Sequence, residues 1–243
     1  MNEQIQDDSI SIELKTSRYF DSPGNAEIER LNAKLSALRN GTEKQVVLIT
    51  SSILGEGKST VAARIARTSA RNRKNATLLI DFDLRRPRLH RIFNVEKSRG
   101  LADILGLQLP LKTCIKRTSI PNLLLLTSGD IQGNPLNLLK SDKIENFFME
   151  VRSFFDHVIV DSPPVIPVCD SLLLGRVVDN VLFVVKAGTT PKVVAKRAIE
   201  IFEDVKVEIS GIVLNNVNNV LPYYYDSAYY GYKYYEKTES KTS

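Results

Sequence analysis

The chain has 243 residues, of which 43% are hydrophobic and 25% charged, and it carries a net charge of +5. This is the balance of a globular domain, which excludes a fibre, a low-complexity chain or a wholly disordered one. No apolar run approaches the ~20 residues of a membrane span. The opening MNEQIQDDSI is too acidic and polar for a secretory signal, and Cys114 and Cys169 lack the spacing of a metal site, so the chain reads as a cytoplasmic protein with reduced thiols.

Residues 1–25 form a polar lead-in. Residues 26–38 (AEIERLNAKLSAL) then place Ile28, Leu31, Leu35 and Leu38 at helical spacing before the stop signal Asn40-Gly41, which predicts a leading amphipathic helix. Six short apolar runs follow: QVVLITS, TLLIDFD, NLLLLTS, HVIVDSPP, NVLFVVKAG and ISGIVLNNV. Runs that are apolar throughout suit strands covered on both faces. Helical patterns at 60–71, 136–155 and 192–205 alternate with them, so the expected fold is an α/β sandwich with a doubly wound, mostly parallel sheet. The compact domain is expected over residues 26–221, with a separate tail at 222–243.

LGEGKST, directly after QVVLITS and before a helical pattern, has the context of a phosphate-binding loop. Gly55 and Gly57 permit the tight turn that aims backbone N–H groups at phosphate oxygens, with a helix dipole behind them. Gly55, Glu56, Gly57, Lys58, Ser59 and Thr60 are the candidate nucleotide-binding residues. Lys58 would bridge the β- and γ-phosphates, Ser59 would place its hydroxyl on Mg²⁺, and Thr60 would bond phosphate. Ser52 stands where the usual pattern has its first glycine.

Two other strands end in acids: Asp81 and Asp83 in LLIDFDLRRP, and Asp161 in VIVDSPP. Acids at the carboxyl ends of parallel strands face the ligand crevice of such folds, although a lone Asp there is more often a cap. Beside a phosphate loop the catalytic reading gains weight: Lys58, Asp81, Asp83 and Asp161 are the candidate catalytic set. Ser59, Asp83 and Asp161 are assigned to the metal and Asp81 to proton abstraction, with the roles of Asp81 and Asp83 exchangeable. Arg85 and Arg86 bring positive charge near phosphate. They belong to a basic cluster at 85–99 that suits an anionic ligand or a membrane surface, and equally a solvated helix face. His90 and His157 read as structural or surface residues.

Eight of the nine tyrosines stand at 223–235, in YYYDSAYYGYKYY: Tyr223, Tyr224, Tyr225, Tyr229, Tyr230, Tyr232, Tyr234 and Tyr235. Their neighbours are small, charged and flexible, which favours a disordered segment with accessible hydroxyls.

SSILGEGKST, LLIDFDLRRPRLH and VIVDSPP together resemble the Walker A, second acidic and Walker B motifs of the bacterial tyrosine kinases of capsule and exopolysaccharide synthesis. GLADILG, LTSGDIQGNPLNLL and GIVLNN are similar to further blocks of that family, whose fold is of the MinD/ParA type. The resemblance implies a protein-tyrosine kinase that uses ATP and Mg²⁺ and autophosphorylates its tail tyrosines. It implies a membrane-anchored activator with a cytoplasmic tail, which recruits the chain to the inner face of the membrane. It further implies a homo-oligomer and an opposing tyrosine-phosphate phosphatase; no nucleic acid is expected, because the tail lacks Trp and Phe and has few Lys and Arg. Asn215 would lie near the base, or serve as a turn residue. The chain resembles the stand-alone catalytic subunit of Gram-positive bacteria. In the leading helix Glu27 and Arg30 match the family's ring-assembly pattern, while Ala33 and Leu35 depart from it. One rival is a MinD/ParA-like ATPase switch, against which Ile53 stands where that branch has its signature lysine. The other is a non-catalytic nucleotide-binding regulator.

Overall fold

The computed structural model describes residues 25–37, 44–72, 76–131 and 133–217. The tail tyrosines and the first 24 residues lie outside them. The leading helix α1 (Asn25–Ala37) precedes β1 (Gln45–Ser51), α2 (Lys58–Asn72) and β2 (Thr77–Asp81). Three short helices follow, α3 (Leu89–Ile92), α4 (Leu101–Leu107) and α5 (Leu111–Cys114), then β3 (Ile115–Arg117) and β4 (Leu123–Leu126). The chain continues through α6 (Ser141–Phe154), β5 (His157–Asp161), α7 (Asp170–Gly175), β6 (Asn180–Lys186), α8 (Lys192–Asp204) and β7 (Gly211–Asn215).

Among the described residues the strands form one seven-stranded sheet in the order β3-β4-β2-β5-β1-β6-β7. All pairings are parallel except β3 with β4. The central strands β1, β2 and β5 are buried along their whole length, as their unbroken apolar runs require. Alternate side chains enter opposite cores, because successive residues of a strand point to opposite faces. Val46, Leu48, Leu78, Ile80 and Phe183 join the core under α4, α5, α6 and α8, whereas Val47, Ile49, Leu79, Ile159 and Val184 meet α1, α2 and α3. The sheet is therefore doubly wound, as the strand–helix alternation predicts. Alanines 62, 63, 66 and 70 are buried along α2 and let that helix pack closely on the sheet.

The helical pattern over 136–155 yields a helix only from Ser141. Asn134 and Pro135 explain the delay: the Asn134 side chain accepts from the Leu136 N–H at 3.0 Å, capping a separate 3₁₀ turn at Pro135–Asn137. His157 is structural, as expected. It is buried at the start of β5, with Nε2 3.0 Å from Ser69 Oγ, and Ser69 donates to Asn32 Oδ1 at 2.9 Å, which ties α1 and α2 to the sheet.

Candidate active site

The loop between β1 and α2 turns through two left-handed positions, Gly55 at φ +85° and Gly57 at φ +92°. Only glycine adopts these cheaply. At Gly57 a Cβ would also come within 2.1 Å of Asn215 Nδ2. Asn215 itself, at the end of β7, donates to the Glu56 carbonyl at 2.9 Å. Glu56 turns its side chain inward: Oε2 accepts from the Ile53 N–H at 2.7 Å, and Oε1 accepts from the Thr190 hydroxyl. The carboxylate thus clamps the loop to the connection between β6 and α8, and Glu56 is buried.

The acids arrive by register. Ile49 of β1 pairs with Asp161, and Asp161 pairs with Asp81, so both carboxylates stand level with the start of the loop. Phe82, between Asp81 at the end of β2 and Asp83 just beyond it, is buried against Phe147 and Phe148 at 6.1 Å centroid separation from each. That anchor turns Asp81 and Asp83 to the opposite side from the α6 core.

Lys58 is the hub. Its Nζ lies 2.8 Å from Asp83 Oδ2, 3.8 Å from Asp161 Oδ1 and 3.5 Å from Ser59 Oγ. Burial works against its charge, yet Asp161 and Asp83 outweigh burial and hold its pKa above the ordinary value. Asp83 Oδ1 also accepts from the Arg86 N–H at 2.9 Å. Asp81 Oδ2 accepts from the N–H groups of Arg88 and Leu89 at 3.1 and 3.0 Å, capping the turn into α3. Asp81 Oδ1 and both oxygens of Asp161 are buried and have no hydrogen-bond partner among the described residues. Burial, then the neighbouring Asp161, pushes the Asp81 pKa up to about 8. Burial also raises Asp161 to about 6, against the pull of Lys58.

Lys58, Ser59 and Asp83 border a cleft of about 740 Å³. Gly55, Gly57, Lys58, Ser59 and Thr60 line one side, and Asp83, Arg85, Arg86, Arg88, Arg91 and Lys97 line the other. Asp81 and Asp161 are fully buried and do not reach its wall. Arg85 reaches the cleft but is held bidentately by the buried Asp170, with Nε 3.2 Å from Oδ2 and Nη2 3.3 Å from Oδ1. Asp170 and Thr190 were not foreseen from the sequence, where nothing distinguishes them from cap and turn residues. Arg88 and Arg91 were legible only as members of the basic cluster.

Residues 42–241 match the ParA family, described as the NUBPL iron-transfer P-loop NTPase, which accounts for the nucleotide-binding fold. The chain is 36% identical to the tyrosine-protein kinase YwqD of Bacillus subtilis (strain 168), over 77% of this chain and 78% of that protein. The chain belongs to the bacterial tyrosine kinases. The tyrosine-protein kinase CpsD of Streptococcus agalactiae is 30% identical over 94% of this chain and 95% of its own length. Among solved structures, the kinase domain of the Escherichia coli tyrosine kinase ETK superposes with a TM-score of 0.74 at 28% identity, covering 79% of this chain and 74% of that one. Kinase relatives of this identity and coverage favour a tyrosine kinase over the ATPase switch and the non-catalytic regulator. Among the described residues no helix is long and apolar enough to cross a membrane.

Proposed function

We propose that the chain binds Mg·ATP on Gly55, Glu56, Gly57, Lys58, Ser59 and Thr60 and phosphorylates the tyrosines at 223–235. The observation that carries this reading is the meeting of Lys58, Asp83 and Asp161 at the phosphate loop of a chain with eight tyrosines gathered at one end. The phenol oxygen attacks the γ-phosphorus in line, the bond from that phosphorus to the β,γ-bridging oxygen breaks, and ADP leaves. The phenolic proton passes to a carboxylate. Positioning and charge stabilisation suffice for such a transfer, without a covalent enzyme intermediate.

The donor set fits Mg²⁺, since neither oxygen of the buried Asp161 accepts a hydrogen bond among the described residues and Ser59 stands beside Lys58. Ser59, Asp83 and Asp161 would hold the ion, which supplies charge neutralisation on the β- and γ-phosphates. Lys58 exchanges Asp83 for phosphate oxygens when nucleotide enters, and Asp83 is then free for the metal. Asp81 is assigned the proton. With its pKa pushed up to about 8 the resting carboxyl holds a proton at neutral pH, so the base is its ionised form, which the Lys58 charge favours. Access to it requires the turn at 84–88 to lift, because Asp81 lies buried behind the cleft wall. Arg85, steadied by Asp170, lends charge to the phosphates, and Asn215 holds the loop from beneath.

Family membership supports a role in regulating capsular or exopolysaccharide synthesis and export. It also supports a membrane-anchored activator whose cytoplasmic tail recruits the chain to the inner face of the membrane, self-association, and reversal by a tyrosine-phosphate phosphatase. Intact mass after incubation with Mg·ATP and the activator tail tests the reading: stepwise phosphate gains mapping to 223–235 are expected, and none with Lys58→Met. Loss of ATP without protein phosphate would instead indicate an ATPase switch.

A further inference from the structure

The basic residues that line the cleft are not equivalent. Lys58 is paired with Asp83, Arg85 with Asp170, and Lys97 with Asp130 at 3.0 Å. Arg86, Arg88 and Arg91 are exposed, line the same cleft as the phosphate loop, and form no salt bridge among the described residues, although the Arg88 charge is felt by the buried Asp161. Asp83 is the one acid on the lining, against six Lys and Arg residues: Lys58, Arg85, Arg86, Arg88, Arg91 and Lys97. Their field is felt locally, since burial and then Arg91 and Lys97 hold the His90 pKa below its ordinary value. Once the ion pairs are set aside, three guanidinium groups remain unmatched on the wall that faces the phosphate loop.

The acceptor supplies anions that match them. Tyr223 to Tyr225 are consecutive, Tyr229 and Tyr230 are adjacent, and Tyr232, Tyr234 and Tyr235 follow closely. An extended chain advances ~3.3–3.6 Å per residue, so a phosphate one or two residues from the reacting tyrosine sits within ~7 Å of it along the backbone. That phosphate carries about −1.5 to −2 charge and three acceptor oxygens. Beside the γ-phosphate it would be repelled unless cations receive it, and the guanidinium fork is the side chain best matched to phosphate.

We propose that Arg86, Arg88 and Arg91 form a phosphotyrosine subsite beside the transfer centre, holding a tyrosine already phosphorylated while its neighbour in the same tail receives the next phosphoryl group. The inference rests on the kinase reading above. It makes the first transfer the slow one and retains the tail for those that follow.

The test uses the full chain with its eight tail tyrosines changed to Phe, acting on synthetic 223–235 peptides that are either unphosphorylated or phosphorylated at Tyr224 alone. Phosphate incorporation gives kcat/KM, and fluorescence anisotropy without ATP gives binding. The phosphopeptide is expected to bind and react about tenfold better, the factor that one charge-assisted hydrogen bond supplies. The double variant Arg88→Gln/Arg91→Gln should erase that preference, leaving the unphosphorylated peptide's kcat/KM and the KM for ATP unchanged. Equal behaviour of the two peptides with the parent chain, or a preference that survives in the variant, overturns the subsite. A raised KM for ATP in the variant overturns it too, by assigning the arginines to the nucleotide. If neither peptide gains phosphate with the activator tail present, the kinase reading fails, and the anisotropy still decides whether the arginines hold phosphotyrosine.

Discussion

Replacing Glu56 by Ala removes the clamp beneath the phosphate loop without touching a residue that faces the cleft through its side chain. The carboxylate is 2% exposed and accepts two hydrogen bonds, from the Ile53 N–H at 2.7 Å and from the Thr190 hydroxyl. Hydrogen bonds to a charged group contribute ~1.5–3 kcal/mol each. Loss of both at the lower figure costs about 3 kcal/mol, and water entering the gap recovers only part of it for the Ile53 N–H. At this chain length each kcal/mol moves the melting temperature by about 2–4 °C, so a fall of roughly 6–12 °C is expected by calorimetry or circular dichroism. Thr190→Val removes one of the two bonds and leaves the carboxylate in place, so it should cost about half as much. The double variant should be no worse than Glu56→Ala alone, because the two residues act through one contact. The KM for ATP should rise with the loss of loop order. A Glu56→Ala chain that melts with the parent but binds ATP poorly would refute the reasoning, since it would mean that the carboxylate meets the nucleotide rather than the loop.

Gly57→Ala should abolish nucleotide binding and autophosphorylation, because the new Cβ would lie 2.1 Å from Asn215 Nδ2 in a left-handed turn; retained ATP binding by calorimetry would show that the loop can move aside. Asp81→Asn should flatten the pH dependence of stability. The folded carboxyl holds its proton to about pH 8 while the unfolded one loses it near pH ~3.9, so the parent chain loses stability as pH rises across that window. The variant's melting temperature should therefore gain on the parent's between pH 5 and about 8, and parallel curves would remove Asp81 as the buried acid. Transfer between molecules is expected: Lys58→Met chains with intact tails should gain phosphate from active chains whose tail tyrosines are all Phe, and no gain would make the transfer intramolecular.

The sequence by itself determined whatever rests on local order. Unbroken apolar runs marked the central strands, since a strand covered on both faces needs apolar residues at every position. LGEGKST was legible because glycines, lysine and helix start are contiguous, and the acids of DFD and IVD stand out at strand ends. Short β3 was missed: three half-buried or exposed residues carry no period, and only the neighbouring β4 pairs them antiparallel. Tertiary structure alone decided which charges are free. Arg85 and Arg86 are neighbours in sequence, yet Arg85 is engaged by Asp170, 85 positions away, while the Arg86 side chain stays open to the cleft. Glu56 reads as a loop acid until Thr190, 134 positions on, turns it into a clamp. Asp81 and Asp83 are two residues apart, one ending β2 and the other just beyond it, yet one is buried under a turn and the other meets Lys58 at the cleft. A side chain's partner depends on which distant segments the sheet order brings together, and that order comes from the packing of the whole core rather than from any window of sequence.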